Sequence, residues 1–101
     1  MTTNTAAIEI AVDHLAYGEG LIAKAQNMAN LAVHPGNKIS EGFIYEMHTL
    51  QSDMGRLMVD LRDIAALGVD SGTARTMRGM SADLSSQIKN VGYAAKVARA
   101  A

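Results

Sequence analysis

Three histidines, His14, His34 and His48, are the residues of this chain best equipped for chemistry near neutral pH. An imidazole can ligate a metal or move a proton. A metal site built on a helix, however, needs a second ligand three or four residues away, as in the Glu-x-x-His pairs of di-iron bundles. His14 has Tyr17 and Gly18 at those steps ahead of it, and Ile10 and Ala11 behind. His48 has Gln51 and Ser52 ahead, and Ile44 and Tyr45 behind. His34 stands directly before Pro35, where the chain turns. No histidine has a ligand partner on its own helix, so the sequence predicts no metal and no cofactor.

The carboxylates are the next candidates. Glu46, Asp53 and Asp60 recur every seven residues. An acid–base enzyme sets two carboxylates in one pocket, in surroundings that drive their pKa values apart. A row at heptad spacing is instead what flanks a coiled-coil seam, where charge selects partner and register. Arg56 lies three residues after Asp53 and four before Asp60, within reach of both along a helix surface, for roughly 0.2–0.5 kcal/mol each. The chain has no cysteine, which excludes disulfides and thiolate chemistry. It carries no Ser/His/Asp order, no glycine-rich phosphate loop and no nucleophile elbow. These observations predict a protein that is not an enzyme, with no catalytic, cofactor-binding or metal-binding residue to nominate.

The elements that carry these side chains are legible from periodicity. From Ser40 to Leu67, Phe43, Met47, Leu50, Met54, Leu57, Leu61 and Ile64 recur at alternating steps of four and three. Only a long helix collects all seven on one side. Ile44, Met58 and Ala65 fall one position further on and widen the seam into a stripe broad enough for two neighbours. Ser40 is a good N-cap, Glu41 suits the first turn, and Ile39 and Ile44 stand where a hydrophobic staple needs them. Gly68 can adopt the left-handed conformation that ends the helix, with Val69 placed to touch Ile64.

The segment before it, residues 5–33, carries Ile8, Val12, Leu15, Ile22, Ala25, Ala29 and Ala32 at helical spacing, flanked by Ala11 and Met28. Gly18 and Gly20 each cost roughly 1 kcal/mol against alanine inside a helix. They leave two readings: a continuous helix whose small residues admit a close neighbour, or a kink near Gly18–Gly20. His34-Pro35-Gly36-Asn37 ends this segment, because proline drives the residue before it out of the helical region. After Gly68, Asp70 or Ser71 caps a third helix with the apolar line Met77, Met80, Leu84, Ile88, Val91, Ala95 and Ala98. Three segments of similar length on short turns predict an all-α protein. The architecture is a three-helix up-down-up bundle over about 5–33, 40–67 and 72–99, in a single helical domain spanning 1–101.

Composition agrees. There are 17 alanines, one proline, one phenylalanine, three tyrosines and no tryptophan. No apolar run nears the ~20 residues that cross a bilayer, so no transmembrane segment is expected. The opening MTTNTAA has neither positive charge nor an apolar stretch, which argues against a cleaved signal peptide. Cytoplasmic residence and export on an uncleaved Thr/Asn-rich signal both stay open.

Charge is more informative by segment than in total. The net formal charge is −1, which offers nucleic acid and acidic membranes no strong attraction. From Ser71 onward, Arg75, Arg78, Lys89, Lys96 and Arg99 oppose only Asp83, for +4. From Ile39 to Leu67, five acids oppose two arginines, for −3. On a helical projection Arg78, Lys89 and Lys96 share one stripe with Arg75 and Tyr93 at its edge. It is either a solvated surface, a face turned to the acidic flank of the second helix, or a docking stripe for an acidic partner. Met47, Met54, Met58, Met77 and Met80 lie in the two seams, where methionine fills core gaps and also suits surfaces that accept partners.

The functional expectation is a non-enzymatic protein acting through helix–helix association. First comes a self-assembling structural subunit, an oligomer or filament of the kind that builds secretion or phage-type apparatus. Its association seam would be Phe43, Met47, Leu50, Met54, Leu57, Met58, Leu61 and Ile64. The alternative is a small helical adaptor, chaperone or inhibitor that binds another protein through the stripe of Arg75, Arg78, Lys89, Tyr93 and Lys96. Partners are thus another copy or another protein, with nucleic acid a weaker third.

Overall fold

The computed structural model describes residues 4–100, so the start of the Thr/Asn-rich stretch lies outside the described residues. Three helices follow in order: α1 Thr5–Val33, α2 Glu41–Ala66 and α3 Ser71–Ala100. Each packs against both others, in a rod of 55 × 19 × 15 Å. The Asn4 N–H donates to the Gly68 carbonyl at 2.8 Å, which fastens the start of α1 to the α2–α3 turn. The helices therefore run up, down and up.

Each boundary has a local cause. Asn4 caps α1, its side-chain oxygen accepting from the Ala7 N–H at 3.1 Å, a cap the sequence reading passes over. His34 is extended, as the following proline requires, and Gly36 takes φ +89° in the turn. The Ser40 hydroxyl accepts from the Phe43 N–H at 3.1 Å and starts α2. Gly68, at φ +97°, ends it, its N–H donating to the Ala65 carbonyl at 3.2 Å. The chain folds back at Gly68 instead of extending α2 into α3. Asp70 then caps α3, accepting from the Thr73 N–H at 3.0 Å and from the Thr73 hydroxyl.

The core is the α2 seam with what closes over it. Of the seven largest fully buried side chains, Met47, Leu50, Met54, Leu57 and Leu61 belong to α2, and Leu84 and Val91 to α3. Ile44 and Ile64 are buried beside them, while Phe43, Met58 and Ala65 are half-buried at the margins. At roughly 1.5–3 kcal/mol per large apolar side chain, this seam is the main source of stability. Among the described residues no polar or charged side chain is buried.

α1 is helical without interruption through Gly18-Glu19-Gly20, and its buried face differs from the one predicted. The buried residues are Ala7, Ala11, Gly18, Leu21, Ala25, Met28, Ala29 and Ala32. Ile8, Leu15 and Ile22 are half-buried at the edge, and Val12 is 57% exposed. The reason is steric. A Cβ on Gly18 would lie 2.7 Å from Met80 Sδ and 3.1 Å from Leu57 Cδ2, so long side chains of both other helices meet over this glycine. Bulky neighbours claim the midline of α1 for its smallest residues and push its larger ones to the rim.

Candidate functional site

The histidines are spread along the rod, and two of them are bonded only locally. His14 Nδ1 lies 2.8 Å from the Ile10 carbonyl oxygen, and His34 Nδ1 2.9 Å from that of Pro35. His48 lies at the end of the rod where the start of α2 meets the end of α3. Its Nδ1 is 2.9 Å from Gln51 Oε1, and its Nε2 is 3.1 Å from Arg99 Nη2. A guanidinium only donates, so Nε2 accepts, and the proton sits on Nδ1 and is donated to Gln51. Gln51 Nε2 in turn donates to the Ile88 carbonyl of α3 at 2.9 Å. A shallow groove of about 670 Å³ opens beside this chain of bonds, lined by Glu41, Gly42, Ile44, Tyr45, His48 and Arg99. Among the described residues, no three His, Asp or Glu side chains converge as a metal-ion site would need.

Gly92 makes that connection between α2 and α3 fit. A Cβ there would sit 2.9 Å from Gln51 Nε2, inside any normal contact distance. The bare backbone lets the glutamine amide reach the Ile88 carbonyl one turn earlier. The sequence reading missed Gly92, and the signal was present: a glycine inside a helix at a cost of about 1 kcal/mol. Gln51 was rejected as a metal partner for His48, and its hydrogen-bonding role depends on α3, 37 residues away.

The basic stripe lies along the outer side of α3. Arg75, Arg78, Lys89, Tyr93 and Lys96 are all exposed. Arg78 lines a groove of about 320 Å³ between α2 and α3, with Leu61, Arg62, Ala65 and Met77. On α2, His48 and Gln51 bond to α3, and Ile44, Arg62 and Ala65 line grooves shared with it. At 100° per residue, Glu46, Asp53 and Asp60 fall on the opposite flank of α2. The acids thus point away from the cations of α3. Among the described residues the one ion pair within 4 Å joins the sequence neighbours Arg62 and Asp63, at 3.6 Å and largely in solvent. Such a pair is worth about 0–1 kcal/mol. The stripe and the acid row do not neutralise each other within one molecule.

Several large apolar side chains also remain outside. Each helix presents one tyrosine: Tyr17 at 53%, Tyr45 at 73% and Tyr93 at 66% exposure. Ile10, Leu31 and Val59 are exposed as well. No described helix is long and apolar enough to cross a membrane. In comparisons with protein families, with curated proteins and with solved structures, nothing matches this chain.

Proposed function

We propose that this protein acts by contact and catalyses no reaction, and that it is a structural subunit assembling with copies of itself through the outer faces of its helices. The observation that carries this reading is the position of the tyrosines. All three in the chain stand outside the bundle, one per helix. Tyrosine combines a large apolar ring with a polar tip and is enriched where proteins meet. Folding leaves these rings unused, although the core has room for Met47, Met54 and Met80.

The α2 seam forms the core of a single molecule. Phe43 through Ile64 pack against α1 and α3 of the same chain, so assembly has to use the surfaces that remain. Size-exclusion chromatography with light scattering tests the reading. A mass that grows with concentration supports it, and a concentration-independent monomer at high micromolar protein overturns it. One observation favours a second reading, a helical adaptor for an acidic protein: the cations of α3 have no ion-pair partner within 4 Å among the described residues. Under that reading, Arg78→Glu with Lys89→Glu and Lys96→Glu abolishes partner capture while leaving the helix content intact.

A further inference from the structure

The charge of this molecule is divided by helix. α1 and α2 together hold eight acids and three bases, for −5, while α3 holds five bases and one acid, for +4. The acid row of α2 points away from α3, and no ion pair joins the two among the described residues.

The two rows also share a pitch. Glu46, Asp53 and Asp60 are seven residues apart, a rise of about 10.5 Å per step. Lys89 and Lys96 are one such step apart, and Arg75 lies two steps before Lys89. Tyr93 stands on the same face of α3, exposed between the two lysines. An α-helix presenting acids at that pitch can lie along α3 and meet Lys89 and Lys96 at once, with the tyrosine ring supplying apolar contact. The chain contains such a helix, and its own geometry keeps that helix's acids away from its own α3.

We propose that the outer face of α3 is occupied by the acid row of α2 from a second copy. This rests on the self-assembly reading above and specifies its surfaces. Because the acid row of α2 points away from α3, one neighbour cannot engage both faces at once, so the contact is heterologous and each copy keeps one face open for the next. Assembly then propagates as a chain or closes as a ring, and it weakens as salt screens the charges.

Two double variants test the pairing, each at exposed positions and checked for helix content by circular dichroism. Lys89→Gln with Lys96→Gln removes one face, and Glu46→Gln with Asp53→Asn removes the other. Sedimentation velocity should find the wild type associating at low ionic strength, and losing at least tenfold in affinity at about 0.5 M salt. Each variant alone should be a monomer. An equimolar mixture should form a 1:1 heterodimer that grows no further, because one intact acid row meets one intact basic face. If the wild type assembles and both variants assemble equally well, the pairing is wrong and self-assembly stands. If both variants are monomeric and their mixture stays monomeric, the pairing is likewise wrong. A wild type that is monomeric at every salt concentration removes both readings and leaves the α3 face to a different acidic protein.

Discussion

Four glycines show how much depends on a single missing methyl group. Gly18 lies under Met80 and Leu57, whereas Gly20 has nothing within 4 Å of the position its Cβ would take. Gly20→Ala should therefore gain the ordinary helix-propensity benefit of about 0.5–1 kcal/mol. Gly18→Val should lose roughly 1–3 kcal/mol through overpacking. Urea unfolding followed by circular dichroism separates them, and equal effects would contradict the crossing of side chains over Gly18. Gly92 gives a subtler contrast with Gly79, which is also open. Gly79→Ala should gain about 0.5–1 kcal/mol. Gly92→Ala should lie between a gain of about 0.5 kcal/mol and a loss of about 1, because the new methyl displaces Gln51 from the Ile88 carbonyl and forfeits about 0.5–1.5 kcal/mol. A shift of the Gln51 side-chain amide resonances in the Gly92 variant alone would mark that displacement.

At the scale of the element, each helix is started and stopped by its own sequence, and the start of α3 responds to pH. Hydrogen bonds from Thr73, first from its hydroxyl and then from its N–H, hold the Asp70 carboxyl below its ordinary range. With the folded value below the unfolded one, the cap's stabilisation is fully present above the unfolded-state pKa, near 3.9. It fades as pH falls through the folded value. Asp70→Ala should therefore lower Tm at neutral pH, with the gap to wild type closing in strong acid. Asp70→Asn, a comparable cap without a charge, should keep its benefit in acid. Thermal melts across that range check this, and a gap that stays constant to strong acid would exclude the ionised cap. Ser40 works by the same geometry at α2, and Ser40→Ala should cost about 1 kcal/mol.

At the scale of the molecule, one seam holds three helices, so its loss should be felt everywhere at once. Leu57 is fully buried on α2 and would touch a Cβ placed on Gly18 of α1. Leu57→Ala should cost about 2–5 kcal/mol and lower the stability of all three helices in a single transition. Val59, on the same helix but exposed, should tolerate alanine within about 0.5 kcal/mol. Hydrogen exchange resolved by residue would reveal whether α1 and α3 lose protection together with α2 in the Leu57 variant. Protection lost in α2 alone would mean that the seam does not couple the helices.

The sequence by itself determined the three helices, the cap at Ser40, the end of α2 at Gly68 and the seven-residue seam of α2. It also placed the cations of α3 on one stripe. All of these follow from spacing and from residue types that act within a few positions along the chain. The sequence left the cap of α3 between Asp70 and Ser71 and left open whether α3 folds back, and the structure decided both. The tertiary structure decided how each helix is rotated about its own axis. That rotation put alanines and Gly18 on the midline of α1 and left Val12 in solvent. It brought Arg99 to His48 and Gln51 under Gly92, and it turned the acids of α2 away from α3. Rotation is set by which side chains interlock between helices, and that depends on volumes and distances that no single helix's periodicity contains.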